Sequence, residues 1–166
     1  GTGDTKCAGN YAASMISQEQ ANELGYSQVL WLDGVERKYI EEIGTTNAFF
    51  VIDNQVITPE LNGSILPGIT RDSTIKLLKH WGIDIVERKL SIDELVEAYD
   101  KGTLNEAFAT GTAAVISPIG ELKYKEKVMP IGDGEPGEIA MRIYDALTKI
   151  QRSEMEDPFN WVHRVV

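Results

Sequence analysis

Cysteine is almost absent: Cys7 is the single one in 166 residues. No disulfide can form within the chain, and every multi-cysteine metal site is excluded. Basic residues are scarce too, with sixteen Lys and Arg against twenty-six Asp and Glu and a net charge of −10. Nucleic-acid binding needs cations to neutralise phosphates, so this balance, with no dense basic run, argues against it. No apolar run approaches the ~20 residues that cross a bilayer. The opening Gly1-Thr2-Gly3-Asp4 has neither the basic region nor the apolar stretch of a secretory signal. Neither His80 nor His163 has a partner at a metal-ligand spacing, and no metal site is expected. What is present, 42 % hydrophobic and 25 % charged residues, is ordinary globular composition, well away from that of disordered chains. The expectation is a cytoplasmic protein with neither nucleic acid nor membrane as a partner, its excess acid serving solubility.

No repeat, low-complexity tract or linker divides the chain, so one domain is expected. A helix is predicted over Tyr11–Leu24, capped by Asn10 and stopped at Gly25. Strand-like segments follow at Gln28–Leu32, Lys38–Glu41, Asn47–Ile52 and Gln55–Thr58, with turns at Asp33-Gly34 and Asp53-Asn54. Ile75, Leu78 and Trp81 share one face of a helix predicted over Thr70–Trp81, which Gly82 ends. A strand at Asp84–Lys89 leads to a capping-box pair, Ser91 and Glu94, opening a helix that runs through Asp100. Glu106–Thr110, Ala113–Ser117 and Glu121–Tyr124 read as strands, and Glu138–Ile150 as the last long helix. Strands clustered like hairpins between helices indicate a mixed α/β domain of the α+β kind, not a doubly wound parallel sheet.

Three segments set glycine beside a small hydroxyl residue: Gly44-Thr45-Thr46, Gly68-Ile69-Thr70 and Gly111-Thr112-Ala113. Gly68 precedes a predicted helix start, where free amides, a hydroxyl and the positive end of the helix dipole would converge on an anion. The plainer reading is a turn with Thr70 as the helix cap, and Gly111-Thr112 reads equally well as a turn between strands. Neither named phosphate motif fits. Gly1-Thr2-Gly3-Asp4-Thr5-Lys6 carries Lys where the dinucleotide fingerprint needs its third glycine, and it lacks the Gly-Lys-Ser/Thr end of a P-loop. Lys6 is one of ten lysines, and solvated surface charge is the ordinary fate of a lysine. As a nucleophile it would need a lowered pKa, since at about 10.4 only roughly one amine in a few thousand is neutral at pH 7. Glu42 and Tyr11, taken alone, read as a strand-end carboxylate and a helix-face aromatic. No Ser/His/Asp order, Cys/His pair or carboxylate pair stands out.

Taken in order, Gly3-Asp4-Thr5-Lys6-Cys7-Ala8-Gly9-Asn10-Tyr11, Glu42-Ile43-Gly44-Thr45-Thr46-Asn47, Leu66-Pro67-Gly68-Ile69-Thr70-Arg71 and Gly111-Thr112-Ala113-Ala114 form a more specific pattern. It resembles the branched-chain amino-acid aminotransferases, members of the fold-type-IV pyridoxal-phosphate enzymes, from the first residue to about Arg152. The resemblance implies hairpin-rich mixed sheets forming a pseudo-barrel flanked by helices. It implies pyridoxal 5′-phosphate as cofactor, held covalently by Lys6, which also moves the proton at the substrate α-carbon. Glu42 matches the carboxylate paired with the pyridine nitrogen, a contact that keeps the ring an electron acceptor. Tyr11 matches the phenol bonded to the cofactor's 3-oxygen, and Leu66 the residue packed on the ring face. Ile69, Thr70 and Thr112 match the phosphate-binding positions. Tyr11, Thr45, Thr112 and Ala113 match positions that meet substrate, Thr45 lining the side-chain pocket and the Thr112-Ala113 turn presenting amides to the carboxylate. The implied reaction exchanges amino groups between L-leucine, L-isoleucine or L-valine and 2-oxoglutarate, giving glutamate, in a homodimer.

The pattern departs from the family in two places. The family has a further domain before the lysine, which supplies an arginine to the phosphate and aromatic residues to the pocket. Residues 1–152 would then be the cofactor-binding C-terminal domain and residues 153–166 a tail packed on it, with the N-terminal domain absent and the 166 residues alone expected to be nearly inactive. Some relatives also carry a Cys-x-x-Cys pair after the Gly-Thr-Ala turn; Ala114 and Ser117 stand there, so thiol regulation of that kind is not expected. Two alternatives stay open on these residues. One is another fold-type-IV enzyme, such as a D-amino-acid aminotransferase or an aminodeoxychorismate lyase; the other is a non-catalytic module binding a phosphorylated ligand.

Overall fold

The computed structural model describes residues 2–165. Four helices, α1 (Ala8–Glu23), α2 (Ile69–His80), α3 (Ile92–Asp100) and α4 (Glu138–Gln151), punctuate nine strands. The strands are β1 (Leu30–Leu32), β2 (Ile40–Ile43), β3 (Thr46–Ile52), β4 (Gln55–Thr58), β5 (Ile85–Glu87), β6 (Leu104–Gly111), β7 (Val115–Pro118), β8 (Glu121–Tyr124) and β9 (Lys127–Pro130). β1 to β7 make one mixed sheet, and β8 and β9 a separate hairpin. No helix among the described residues is long and apolar enough to cross a membrane.

β3 is the spine. Along one edge it pairs antiparallel with β6, from Asn47 opposite Thr110 to Ile52 opposite Leu104. Its other edge is shared by two strands. β2 pairs with its start, Glu42 opposite Asn47 and Ile43 opposite Thr46, and β4 pairs with its end, Phe50 opposite Ile57 through Ile52 opposite Gln55. Between them, at the fork, the Thr58 hydroxyl donates to the Ala48 carbonyl at 2.8 Å in place of a strand partner. β5 joins β4 in the parallel sense, while β1 extends β2 and β7 extends β6.

Both faces of β3 are buried, which is why its sequence is continuously apolar instead of alternating. Ala48, Phe50 and Ile52 face one core, with Leu90, Leu95, Leu122 and Met129. Phe49 and Val51 face the other, beneath Leu78 of α2 and Ile143 of α4. There Phe49 and Phe108 stack across β3 and β6 with ring centroids 5.1 Å apart. Phe159 and Trp161, beyond α4, pack against this second core.

Local signals account for most element ends. Asp53 and Asn54 take positive φ, 50° and 64°, the pair a tight two-residue hairpin requires. The Asp33 carboxylate accepts from the amides of Val35, Glu36, Lys38 and Tyr39. Those four bonds hold its pKa far below the usual carboxylate range. Ser91 caps α3 by accepting from the Glu94 amide at 3.1 Å, but the Glu94 carboxylate turns to Arg88 instead of closing the box.

Several expectations are corrected. α1 begins at Ala8 with Cys7 as its N-cap; Asn10 lies inside the helix, its amide donating back to Thr2 and Thr5 carbonyls at 2.7 and 2.9 Å. Thr70 does not cap α2, which starts at Ile69 after Gly68. β2 sits two residues later than its predicted span, where Ile40 and Ile43 are buried, and β9 has no counterpart among the predicted strands. The strands do not close a pseudo-barrel among the described residues, since β7 pairs with β6 alone. α1 buries none of its side chains, and Met15 and Ile16 are 68 % and 70 % exposed.

Truncating the stacked ring tests the weight of the second core. Phe108→Ala should lower the unfolding free energy by about 3–5 kcal/mol, read as an earlier denaturant midpoint at unchanged slope.

Candidate active site

The fork in the β3 edge is where polar side chains gather. The loop that leaves β4, residues 59–68, returns across it. Glu42, half-buried on β2, accepts from the Leu66 amide at 3.1 Å and from Asn47 Nδ2 at 3.3 Å. Asn47 Nδ2 also donates to the Leu66 carbonyl at 2.8 Å. Burial pushes the Glu42 carboxyl up to about 7; the Leu66 amide works against that rise, and the neighbouring Glu41 charge adds to it.

The same loop meets the segment that carries Lys6. A Cβ on Gly3 would overlap the Ser64 backbone, so only glycine lets residues 2–7 lie this close. The Ser64 hydroxyl in turn donates to the Glu41 carboxylate. The Lys6 segment and Glu42 thus meet one loop at points two residues apart along it.

α2 opens beside this group. Gly68 is its N-cap and no side chain among the described residues caps it, leaving donors at the positive end of the helix. A Cβ on Gly68 would overlap Asn47 Oδ1. Ile69 is exposed and Thr70 half-buried in this first turn. Arg71 points inward, its Nη2 donating to Glu87 and to the Pro59 carbonyl at 2.9 Å each, while its buried Nε has no partner among the described residues. On β6, Thr110 Oγ1 is buried with no partner among the described residues, immediately before the Gly111-Thr112 turn.

A cleft of ≈ 1110 Å³ lies next to these elements, with Lys6, Tyr11, Thr45, Thr112 and Ala113 on its walls. Five of the nine residues singled out from sequence therefore share one cavity, all of them solvent-exposed. Glu42, Leu66, Ile69 and Thr70 are not on its walls. Glu42 and Leu66 are bonded to Asn47, and Ile69 and Thr70 follow Gly68, against which Asn47 Oδ1 lies, so the four make a second group. The two groups join where Thr46 separates Thr45 from Asn47 and packs its methyl on Gly111, which leaves only 2.9 Å for any Cβ there. The β2–β3 turn is held by Trp31, whose indole donates to the Gly44 carbonyl at 2.9 Å. Three residues of this region are missing from the sequence reading. Asn47 lies inside a quoted motif, and its polarity at the start of an apolar strand is the available signal. Tyr26 and Glu121, bonded at 2.9 Å on the cleft wall, are 95 residues apart and carry none.

The Glu42 pKa fixes a sign for stability against pH. Between its ordinary 4.5 and about 7, the folded chain keeps a proton that the unfolded chain releases. Stability from this group is therefore full below that window, falls through it as pH rises, and is flat above it. Glu42→Gln stays neutral and can still accept from the Leu66 amide. In cofactor-free thermal melts it should match the parent near pH 5 and exceed it at pH 8; a gap that does not widen with pH would contradict the burial effect.

Comparison with known proteins places the chain in a family. The family described as Amino-transferase class IV matches residues 5–122. Branched-chain-amino-acid aminotransferase 2 of Bacillus subtilis (strain 168) is 56 % identical over 165 residues, covering 99 % of this chain and 46 % of that protein. The branched-chain amino acid aminotransferase from Escherichia coli superposes with a TM-score of 0.81 at 35 % identity, over 96 % of this chain and 50 % of its own. The T.th. branched-chain amino acid aminotransferase, complexed with N-(5′-phosphopyridoxyl)-L-glutamate, superposes with a TM-score of 0.78 at 31 % identity, over 92 % of this chain and 47 % of its own. The four helices and largely antiparallel sheets match those structures, and the chain spans about half the length of the curated relatives it matches. With the class IV pattern running from the lysine segment into the start of β8, the chain belongs to the class IV aminotransferases, in the branched-chain amino-acid aminotransferase family.

Proposed function

We propose that this chain is the cofactor-binding part of an aminotransferase that uses pyridoxal 5′-phosphate to exchange amino groups between L-leucine, L-isoleucine or L-valine and 2-oxoglutarate. The observation that carries the reading is the Glu42 carboxylate held by Leu66 and Asn47 beside an uncapped helix start. That is an anion for a ring nitrogen next to donors for a phosphate, and the donor set fits such a group. The unpartnered Thr110 Oγ1 lies one residue before the Gly111-Thr112 turn.

In this reading Ile69, Thr70 and Thr112 hold the phosphate with amides and hydroxyls. Tyr11 donates to the 3-oxygen and Leu66 covers one ring face. Glu42 faces the ring nitrogen, and a cation there would return its raised pKa towards the ordinary carboxylate value. When bound, the cofactor supplies an electron sink beside the substrate α-carbon. Lys6 tethers it and carries the proton at that carbon. Arg could replace the lysine's charge but neither of these roles. The Thr112-Ala113 amides receive the substrate carboxylate, and Thr45 meets its side chain. Whole-enzyme activity, the homodimer and a cytoplasmic setting belong to a protein of the relatives' length. For the 166 residues alone, cofactor affinity is expected to be weak and turnover close to nil.

Borohydride reduction after adding pyridoxal 5′-phosphate, followed by peptide mass mapping, tests the tether. The adduct should map to Lys6 and vanish in Lys6→Ala; reversible binding with no adduct would favour a phosphate-binding module instead. In a protein of the relatives' length, Lys6→Ala should slow transamination by roughly 10²–10⁴-fold, the range for loss of a positioned acid–base group. A panel of L- and D-amino acids separates the branched-chain reaction from that of D-specific relatives.

A further inference from the structure

Asn47 touches three of the segments to which the proposed function assigns the cofactor, and that reading gives it no contact with cofactor or substrate. It is 5 % exposed and sits directly opposite Glu42 across the β2–β3 ladder. Nδ2 donates to Glu42 Oε1 and to the Leu66 carbonyl, while Oδ1 lies against Gly68 at the start of α2. Its orientation is determined by its neighbours. Exchanging the amide oxygen and nitrogen would set the oxygen against the Glu42 and Leu66 oxygens, acceptor facing acceptor, and both of these bonds would be lost. Its position is determined as well, because Ala48 to Ile52 are locked into two cores and a shift of one residue would turn each to the wrong face.

We propose that Asn47 is a positioning residue of this site: one buried carboxamide sets the spacing between Glu42, Leu66 and the first turn of α2. Under the proposed function these are the groups for the ring nitrogen, the ring face and the phosphate. Asn47 acts through them and touches neither cofactor nor substrate. The side-chain type follows from geometry. Asp would present a second carboxylate to Glu42, Ser would not span the fork, and Gln would drive its longer stem into Gly68. The proposal rests on the cofactor reading for its meaning, but the geometry it describes exists without ligand.

The test compares the parent with Asn47→Asp, which keeps the shape and replaces the donor by an acceptor, and with Asn47→Ser, which is uncharged and too short. Amide hydrogen exchange is measured without cofactor at Leu66, Ile69 and Thr70, with Phe49 and Phe108 as core references. Affinity for added pyridoxal 5′-phosphate is measured for each variant, for Glu42→Gln and for the double variant Asn47→Asp/Glu42→Gln. Leu66 should exchange about tenfold faster in the variants, the size of one hydrogen bond to a charged group, with the core amides unchanged. Cofactor affinity should fall by a similar factor, and the Asn47 and Glu42 effects should be non-additive because one residue acts through the other. Unchanged protection at Leu66, equal acceleration at the core amides, or strictly additive losses would each overturn the proposal. If the parent takes no cofactor onto Lys6, the proposed function fails by itself, while the exchange measurement still decides the role of Asn47.

Discussion

The pairing of β3 on two edges and its burial on two faces governs the rest of the molecule. Five consecutive residues, Ala48 to Ile52, are removed from water, so the strand cannot slip, and the polar residue before them is held in a single place. Because β2 and β4 share one edge without meeting, the ladder opens at Ala48. A returning loop supplies what the ladder lacks there. Asn47, Thr58 and the Leu66 backbone satisfy the groups exposed by that opening. A core strand that ends in a fork thus produces a small polar centre, with Gly3 admitting the Ser64 backbone and Gly68 the Asn47 side chain.

The electrostatics of this centre are not those of the surface. A chain with net charge −10 repels anions at long range, so a phosphorylated ligand must be held by short-range donors. The first amides of α2 and the hydroxyls of Thr70 and Thr112 are of that kind. The nearby guanidinium, Arg71, is committed to Glu87 and Pro59. Its pairing braces α2 against β5. Glu42, conversely, is a carboxylate that burial has already moved towards the neutral form. A protonated ring nitrogen would be the natural complement of that environment. The pair of donors on Glu42, one from the backbone and one from a carboxamide, orients it for one direction of approach.

Helix α4 shows how much of the order comes from contacts distant in sequence. Glu106 of β6 caps it, accepting from the Ile139 and Ala140 amides at 3.0 and 3.1 Å. A Cβ on Gly137 would overlap that carboxylate. A strand carboxylate therefore anchors the helix that roofs the second core, from more than thirty residues away. By contrast α1 is stitched at its start, through Asn10, and its apolar residues face outward. The cleft beside α1 is lined by Lys6 and Tyr11.

The sequence by itself determined whatever depends on near neighbours. Turn chemistry at Asp53-Asn54, the Ser91 cap, the glycine stops after α1 and α2, and the apolar faces of α2 and α4 are all local free energies, written within a few residues. The ordered motifs around Lys6, Glu42, Gly68 and Gly111 also identified the family. Tertiary structure alone decided the rest. That β2 pairs later than its sequence suggests, that β8 and β9 form their own hairpin, and that the sheet stays open all depend on partners chosen across the chain. So does the division of the site residues into a cleft group and a group around Asn47. A carboxamide that bonds a strand carboxylate and a loop carbonyl nineteen residues away leaves no periodic trace, because the free energy that selects it exists only after the core has closed.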